Sequence, residues 1–200
     1  AGPARAWRAA LHDAVAWSAA VRAPEVGVLL AIGVLAGAAT GMVNVTSTAF
    51  AERTLGDRDL AGWLLAAWAV GALAGGLTAA ARRWTLPAEQ RLTYLLLAFG
   101  VAFAPALAAR STITMALALV IAGAFLAPTL AAIFVLTGTR ALPGTITETF
   151  AWLTSSFLVG SAAGAAAGGV LSGGGAGVGG FALAAAIVLA AAALWHALSR

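Results

Sequence analysis

From about Glu25 onward the chain consists of six apolar runs, each long enough to cross a bilayer, joined by short segments that hold the charges. A hydrocarbon core of about 30 Å needs roughly 20 mostly apolar residues in helical form. The runs cover about 26–50, 60–81, 92–109, 113–136, 149–171 and 181–198, and none has a charged residue in its middle. In lipid every backbone polar group must be satisfied internally, which leaves helices or a closed barrel. A barrel strand alternates apolar with polar residues, and these runs are continuous. The sequence therefore predicts an all-α polytopic membrane protein with six transmembrane helices.

Composition supports a bilayer as the solvent. Hydrophobic residues make up 62% of the chain and charged residues 9%, against about 25% charged in ordinary soluble domains. The net charge of +4 does not point to nucleic acid, because the eleven basic residues are all Arg and are scattered among short loops rather than massed on one face. The absence of Cys excludes disulfides, thiolate catalysis and Cys-based metal sites. No metal or other cofactor is expected.

The first 22 residues hold Arg5, Arg8, Asp13 and Arg22 with no apolar stretch between them, unlike a cleaved signal peptide. Trp7, Leu11, Val15 and Val21 fall roughly on one helical face. Residues 1–24 are predicted to form an amphipathic helix on the membrane surface, ended by Pro24, and residues 25–200 the transmembrane bundle. With a cytoplasmic N-terminus, Arg5, Arg8, Arg22, Arg82, Arg83, Arg91, Arg140 and Arg200 lie inside and Arg53, Arg58 and Arg110 outside. The positive-inside rule favours that orientation, so both termini are expected in the cytoplasm, with the chain multi-pass in the cytoplasmic (inner) membrane. Aromatic anchors are expected at Trp84, Tyr94, Trp152 and Trp195 on the inner side and at Phe50, Trp63 and Phe181 on the outer.

Within the runs, Gly33, Gly37 and Gly41, then Gly71 and Gly75, then Gly160, Gly164 and Gly168 recur every four residues. Such ladders let a neighbouring backbone approach closely, within the chain or on a partner; an Ala/Gly-rich chain also produces the spacing by chance. Thr40, Asn44 and Thr48 form a second i, i+4 stripe about 100° away from the first ladder. Asn44 is the only Asn in the chain. An amide in a span needs partners, either as glue between helices or as the lining of a wet cavity. In the fourth run, Pro128 beside Phe125 and Thr129 is expected to kink the helix, for gating or for packing alone. Thr154, Ser155 and Ser156 form a polar cluster open to the same two interpretations. Thr145 and Glu148 have capping-box spacing; the functional alternative for Glu148 is a boundary carboxylate that takes up protons.

Enzymatic function is not expected. His12 and His196 lie at opposite ends of the chain and no Gly-x-Ser-x-Gly motif is present, which argues against a Ser–His protease. A single Asn cannot supply a pair of Asn-Pro-Ala pore loops, no span carries an Arg ladder, and there is no Walker A motif.

In its order of features the chain resembles the C-terminal six-helix half of a major facilitator superfamily transporter. Arg5–Arg22 is similar to the linker between the halves. Gly75 and Gly76 through Arg83 resemble a degenerate inner-loop motif. Ala127-Pro128-Thr129, the stretch Leu142–Trp152 and the glycine-rich 160–169 resemble the tenth-to-eleventh-helix region of actinobacterial drug-efflux permeases. The resemblance implies a three-plus-three inverted repeat, a central cavity lined by the first and fourth spans, and second and fifth spans packed across the interface with the other half. Thr40, Asn44, Thr48, Phe125, Pro128 and Thr129 are then the candidate cavity residues. A full permease has twelve spans, so the expectation is that the N-terminal half is missing from this chain, or that a half-size protein pairs with a second copy. The expected function is proton-coupled efflux of small organic molecules by alternating access. The alternative from another class is a membrane scaffold or assembly subunit that uses its glycine seams to hold partners.

Overall fold

The computed structural model describes residues 24–54, 56–173 and 178–198. The amphipathic helix expected over 1–24 lies outside them except for Pro24. Seven helices occur among the described residues: α1 (Pro24–Thr54), α2 (Leu60–Ala81), α3 (Ala88–Val101), α4 (Ala104–Ala108), α5 (Thr112–Arg140), α6 (Ile146–Gly173) and α7 (Gly179–Leu198). There is no strand among them. Six apolar segments are long enough to cross a membrane, with α3 and α4 together forming the third.

Most helices extend a turn or so beyond the apolar runs. Pro24 is the first described residue of α1; its expected role as the end of a preceding helix falls outside the described residues. The third span is broken, contrary to the continuous run expected over 92–109. Pro105 cannot donate to the carbonyl of Val101, and its ring crowds that carbonyl. The chain tightens ahead of it: the Ala102 N–H donates to the Ala98 carbonyl and the Phe103 N–H, three residues on, to that of Gly100, and α4 starts again at Ala104. The break places Phe103 against Trp68 of α2, with ring centroids 6.0 Å apart, and 5.4 Å from Phe99.

Turn chemistry sets the other ends. Ser111 and Thr114 form a reciprocal capping box on α5. Between α5 and α6, Pro143 and Gly144 occupy the middle of a tight turn closed by the Thr145 N–H on the Leu142 carbonyl at 3.0 Å. Gly144 has φ +85° there, the left-handed value a type II turn requires at its third residue. The capping box expected at Thr145 and Glu148 does not form. The Thr145 hydroxyl donates to Leu142 instead, so it is turned back into the turn and away from the α6 amides.

The helices do not pack as sequential hairpins. The two most extensive interfaces are α1 with α6 and α2 with α5; next come α1 with α7, α3 with α7 and α3 with α5. Numbered as spans, these are one–five, two–four, one–six, three–six and three–four. Exchanging spans one, two and three with four, five and six maps this set onto itself. A three-span repeat has an odd number of crossings, so its second copy is inverted relative to the first. α1 is the central element, with 67% of its most apolar window buried, against 22% in α2 and 17% in α6.

Candidate functional site

Glycine decides how closely the paired helices approach. A Cβ on Gly37 or Gly41 would land on the carbonyl of Phe157 or Ser161, and one on Gly160 or Gly164 on the carbonyl of Val34 or Ala38. Positions rise together on both helices, so α1 and α6 run parallel. The second seam is built the same way: Gly71 and Gly75 meet the carbonyls of Val120 and Ala124, and Gly123 meets that of Trp68. Backbone contact this close is open only to residues without a side chain, and it lets Cα–H groups lie against carbonyl oxygens. Gly33 and Gly168 pack less tightly, against Leu153 and Met42. All the ladder glycines are buried.

The two seams share one register. Val34, Gly37 and Ala38 of α1 stand 86 positions before Val120, Gly123 and Ala124 of α5, their counterparts in the second seam. Trp68, Gly71 and Gly75 of α2 stand 89 positions before Phe157, Gly160 and Gly164 of α6. These constant offsets identify equivalent residues in the two triplets. They also correct one expectation. The ladders of the second and fifth spans do not face a missing partner; they are occupied by α5 and α1. What α2 and α6 turn outward is Leu73 and Leu77 on one and Leu158 and Val159 on the other.

The six candidate cavity residues are not gathered in one place. The Thr40 hydroxyl donates to the Ala36 carbonyl and the Thr48 hydroxyl to that of Asn44, each at 3.0 Å. Asn44 is exposed, so it is not glue inside a seam of this chain. Pro128 and Thr129 are buried, and the Thr129 hydroxyl donates to the Phe125 carbonyl at 2.6 Å. Phe125 and Pro128 open instead onto a groove of about 250 Å³ between α2 and α5, with Gly75, Thr78, Arg82 and Trp84. By the offset of 86, the α5 equivalents of Thr40, Asn44 and Thr48 are Leu126, Leu130 and Phe134. These half-buried or exposed apolar residues sit one position from the predicted Phe125 and Thr129, on the neighbouring helical face. Leu130 and Phe134 line a narrow cleft with Gly33, Thr154 and Phe157.

No family model, curated protein or solved structure matches this chain.

Several residues without a sequence-level role take one in the fold. Arg140, at the end of α5, holds Glu25 of α1 at 2.9 Å and Glu89 of α3 at 3.2 Å. Its guanidinium lies 5.6 Å from the ring of Trp195 on α7, and the Trp195 Nε1 donates to the Glu89 carbonyl at 3.0 Å. One arginine thus joins α1, α3, α5 and α7 at one end of the bundle. Beside it, Trp84 is flanked by Arg82 and Arg91, at 5.4 and 5.2 Å. Glu25, Glu89 and Arg140 carry no mutual signal in the sequence because 51 and 115 residues separate the partners.

Glu148 lies near that same end, on the first turn of α6. Its Oε2 is buried and has no hydrogen-bond partner among the described residues, and the residue borders a groove of about 210 Å³ with Ala151, Trp152 and Ser155. At the far end, the Thr46 and Ser47 hydroxyls are fully buried and likewise unpaired. Among the described residues no group of three or more His, Cys, Asp or Glu is placed to hold a metal ion. The aromatic anchors divide: Trp63 and Tyr94 are exposed, whereas Phe50, Phe181 and Trp195 are buried in the bundle, because the helices they sit on turn those faces toward α1 and its neighbours.

Proposed function

We propose that this chain is a six-helix half of a secondary transporter of the major facilitator type, moving small amphipathic organic molecules by alternating access. The observation that carries this reading is the repeat-symmetric packing, with two parallel glycine seams in one register. Inverted three-span repeats are a recurrent architecture of secondary transporters, whose substrate site lies near the midplane where the repeats meet. A scaffold would offer its glycine ladders to partners; here the ladders are used inside the bundle, and Asn44 is not bonded in a dry seam.

The equivalent faces of α1 and α5 then form the two walls of the substrate cleft. The α1 wall supplies Thr40, Asn44 and Thr48, and the α5 wall Leu126, Leu130 and Phe134. One wall hydrogen-bonds and the other excludes water, which suits a molecule with one polar edge and an apolar body. The opposing half of the cleft comes from an N-terminal six-helix half or from a second copy. The arginine distribution supports cytoplasmic termini in an inner membrane.

Because the chain has no Cys, the cleft can be tested with single cysteines. Asn44→Cys and Leu130→Cys, in the full-length protein in membrane vesicles, should react with a water-soluble maleimide. Leu73→Cys, on the outer face of α2, should not. Protection of both positions would remove the assignment of these faces to a substrate cleft, and protection together with no flux would remove the transport reading.

A further inference from the structure

The segment between α2 and α3 carries a cationic cluster outside the proposed cleft. Trp84 is anchored there by its indole N–H, which donates to the Ala79 carbonyl at 2.9 Å. The guanidinium groups of Arg82 and Arg91 stand 5.4 and 5.2 Å from the centre of its ring. Neither arginine has a carboxylate partner or donates a hydrogen bond among the described residues. Glu89, the nearest carboxylate in sequence to Arg91, is taken by Arg140. Stacking occupies the flat face of a guanidinium and leaves its N–H edge free to bind. Two positive charges on one ring repel each other, and an anion held by both edges offsets that repulsion.

Each arginine borders an apolar groove between α2 and α5. Arg91 borders one of about 240 Å³ and Arg82 one of about 250 Å³. Trp84, Leu95 and Pro128 are common to both, and Leu95 and Pro128 are buried. The first groove exists because Gly76, Ala79, Ala80 and Ala127 line it; larger side chains there would fill it. The second runs from Arg82 to Gly75, seven residues or about 10 Å of helix, with Phe125 along its side. The second span ends at Ala81 and the third begins at Ala88. Both grooves therefore start at span ends, beside the arginines, and lead into the spans.

We infer that Arg82, Trp84 and Arg91 bind an anionic membrane phospholipid, with the phosphate accepting hydrogen bonds from both guanidinium groups and an acyl chain lying in the apolar groove beside them. Guanidinium–phosphate bonds are charge-assisted and directional, and an apolar groove that begins at the phosphate suits a chain covalently attached to it. The charge is carried by the two residues that line the grooves. Arg83, the neighbour of Arg82, lines neither. The site stands apart from the transport reading and needs no substrate to be seen.

Native mass spectrometry of the detergent-solubilised full chain tests it, with phosphatidylglycerol or phosphatidylcholine added as the probe. The wild type should retain phosphatidylglycerol at collision energies that strip phosphatidylcholine. Arg82→Gln and Arg91→Gln should each lower phosphatidylglycerol retention about tenfold, the effect of one charge-assisted hydrogen bond. Arg83→Gln removes the same charge from the same segment and should leave retention unchanged. Ala80→Trp, at an exposed position, fills a groove without removing charge and should also lower retention. Arg82 is exposed, so Arg82→Gln keeps the site testable even if Arg91→Gln does not fold. Equal retention of the two lipids by the wild type, or wild-type retention of phosphatidylglycerol by Arg82→Gln, overturns the assignment. So does an equal loss from Arg83→Gln, which would make the effect one of diffuse charge. Displacement of the bound lipid by an equal concentration of glycerol 3-phosphate would assign the arginines to a free anion and overturn the lipid as occupant.

Discussion

Gly41 and Gly27 lie on the same helix with opposite prospects. A Cβ on Gly41 falls on the Ser161 carbonyl, whereas one on Gly27 meets nothing within 4 Å. Glycine is unfavourable in a helix interior by up to about 1 kcal/mol relative to Ala, so only the close approach offsets that cost at Gly41. Gly41→Val should therefore lower unfolding stability in detergent by about 3 kcal/mol, as overpacking against a backbone that has no room to yield. Gly27→Ala should leave stability unchanged or raise it by up to about 1 kcal/mol. Equal effects from the two substitutions would mean that the α1–α6 seam is looser than this geometry. The i, i+4 spacing identified the face that allows close approach, but not the helix that would occupy it. That depends on α1 and α6 lying parallel, with Gly37 and Gly41 beside Phe157 and Ser161 of a helix more than a hundred residues later.

At the level of the helices, the apolar runs were readable because length and hydropathy suffice to mark a span. What interrupts a span was less readable. Pro105 was in plain view, yet the third run looks continuous because Ala, Phe and Val surround it. Only packing explains why the break is tolerated: it directs Phe103 beneath Trp68 and beside Phe99, where all three rings are buried. The Arg140 cluster was invisible for a related reason, since its members come from four helices and meet only once these have packed. Pairs as exposed as Arg140 with Glu25 contribute little, about 0.2–1 kcal/mol, so burial of the three rings holds the third span more strongly than these ion pairs do. Phe103→Ala should cost about 3–5 kcal/mol, the usual range for deleting a buried ring, read as a lowered melting temperature. A loss below about 1 kcal/mol would mean that the α3–α4 segment is held elsewhere.

Across the whole molecule, the repeat register makes the two triplets structurally alike and chemically different. The wall of α1 is polar at Thr40, Asn44 and Thr48, and its α5 equivalent is Leu126, Leu130 and Phe134. Under the proposed transport function, symmetric packing with asymmetric lining would let the bundle rock as a unit while holding one face of a substrate by hydrogen bonds. The symmetry does not extend to ionisable groups. No acidic residue lies in the middle of a span, so under the proposed transport function a proton carried by these spans would be held at a span end. Glu25 and Glu89 are engaged by Arg140, whereas Glu148 keeps an oxygen buried without a partner and is not spent on capping α6. Glu148→Gln in the full-length protein, reconstituted in vesicles with an imposed proton gradient, should abolish gradient-driven efflux of a cationic dye while leaving downhill dye equilibration intact. The substitution keeps the side chain's shape and removes its carboxylate. Retention of the full gradient-driven rate would assign the proton to a residue outside these six spans and leave Glu148 a structural group at the α6 boundary.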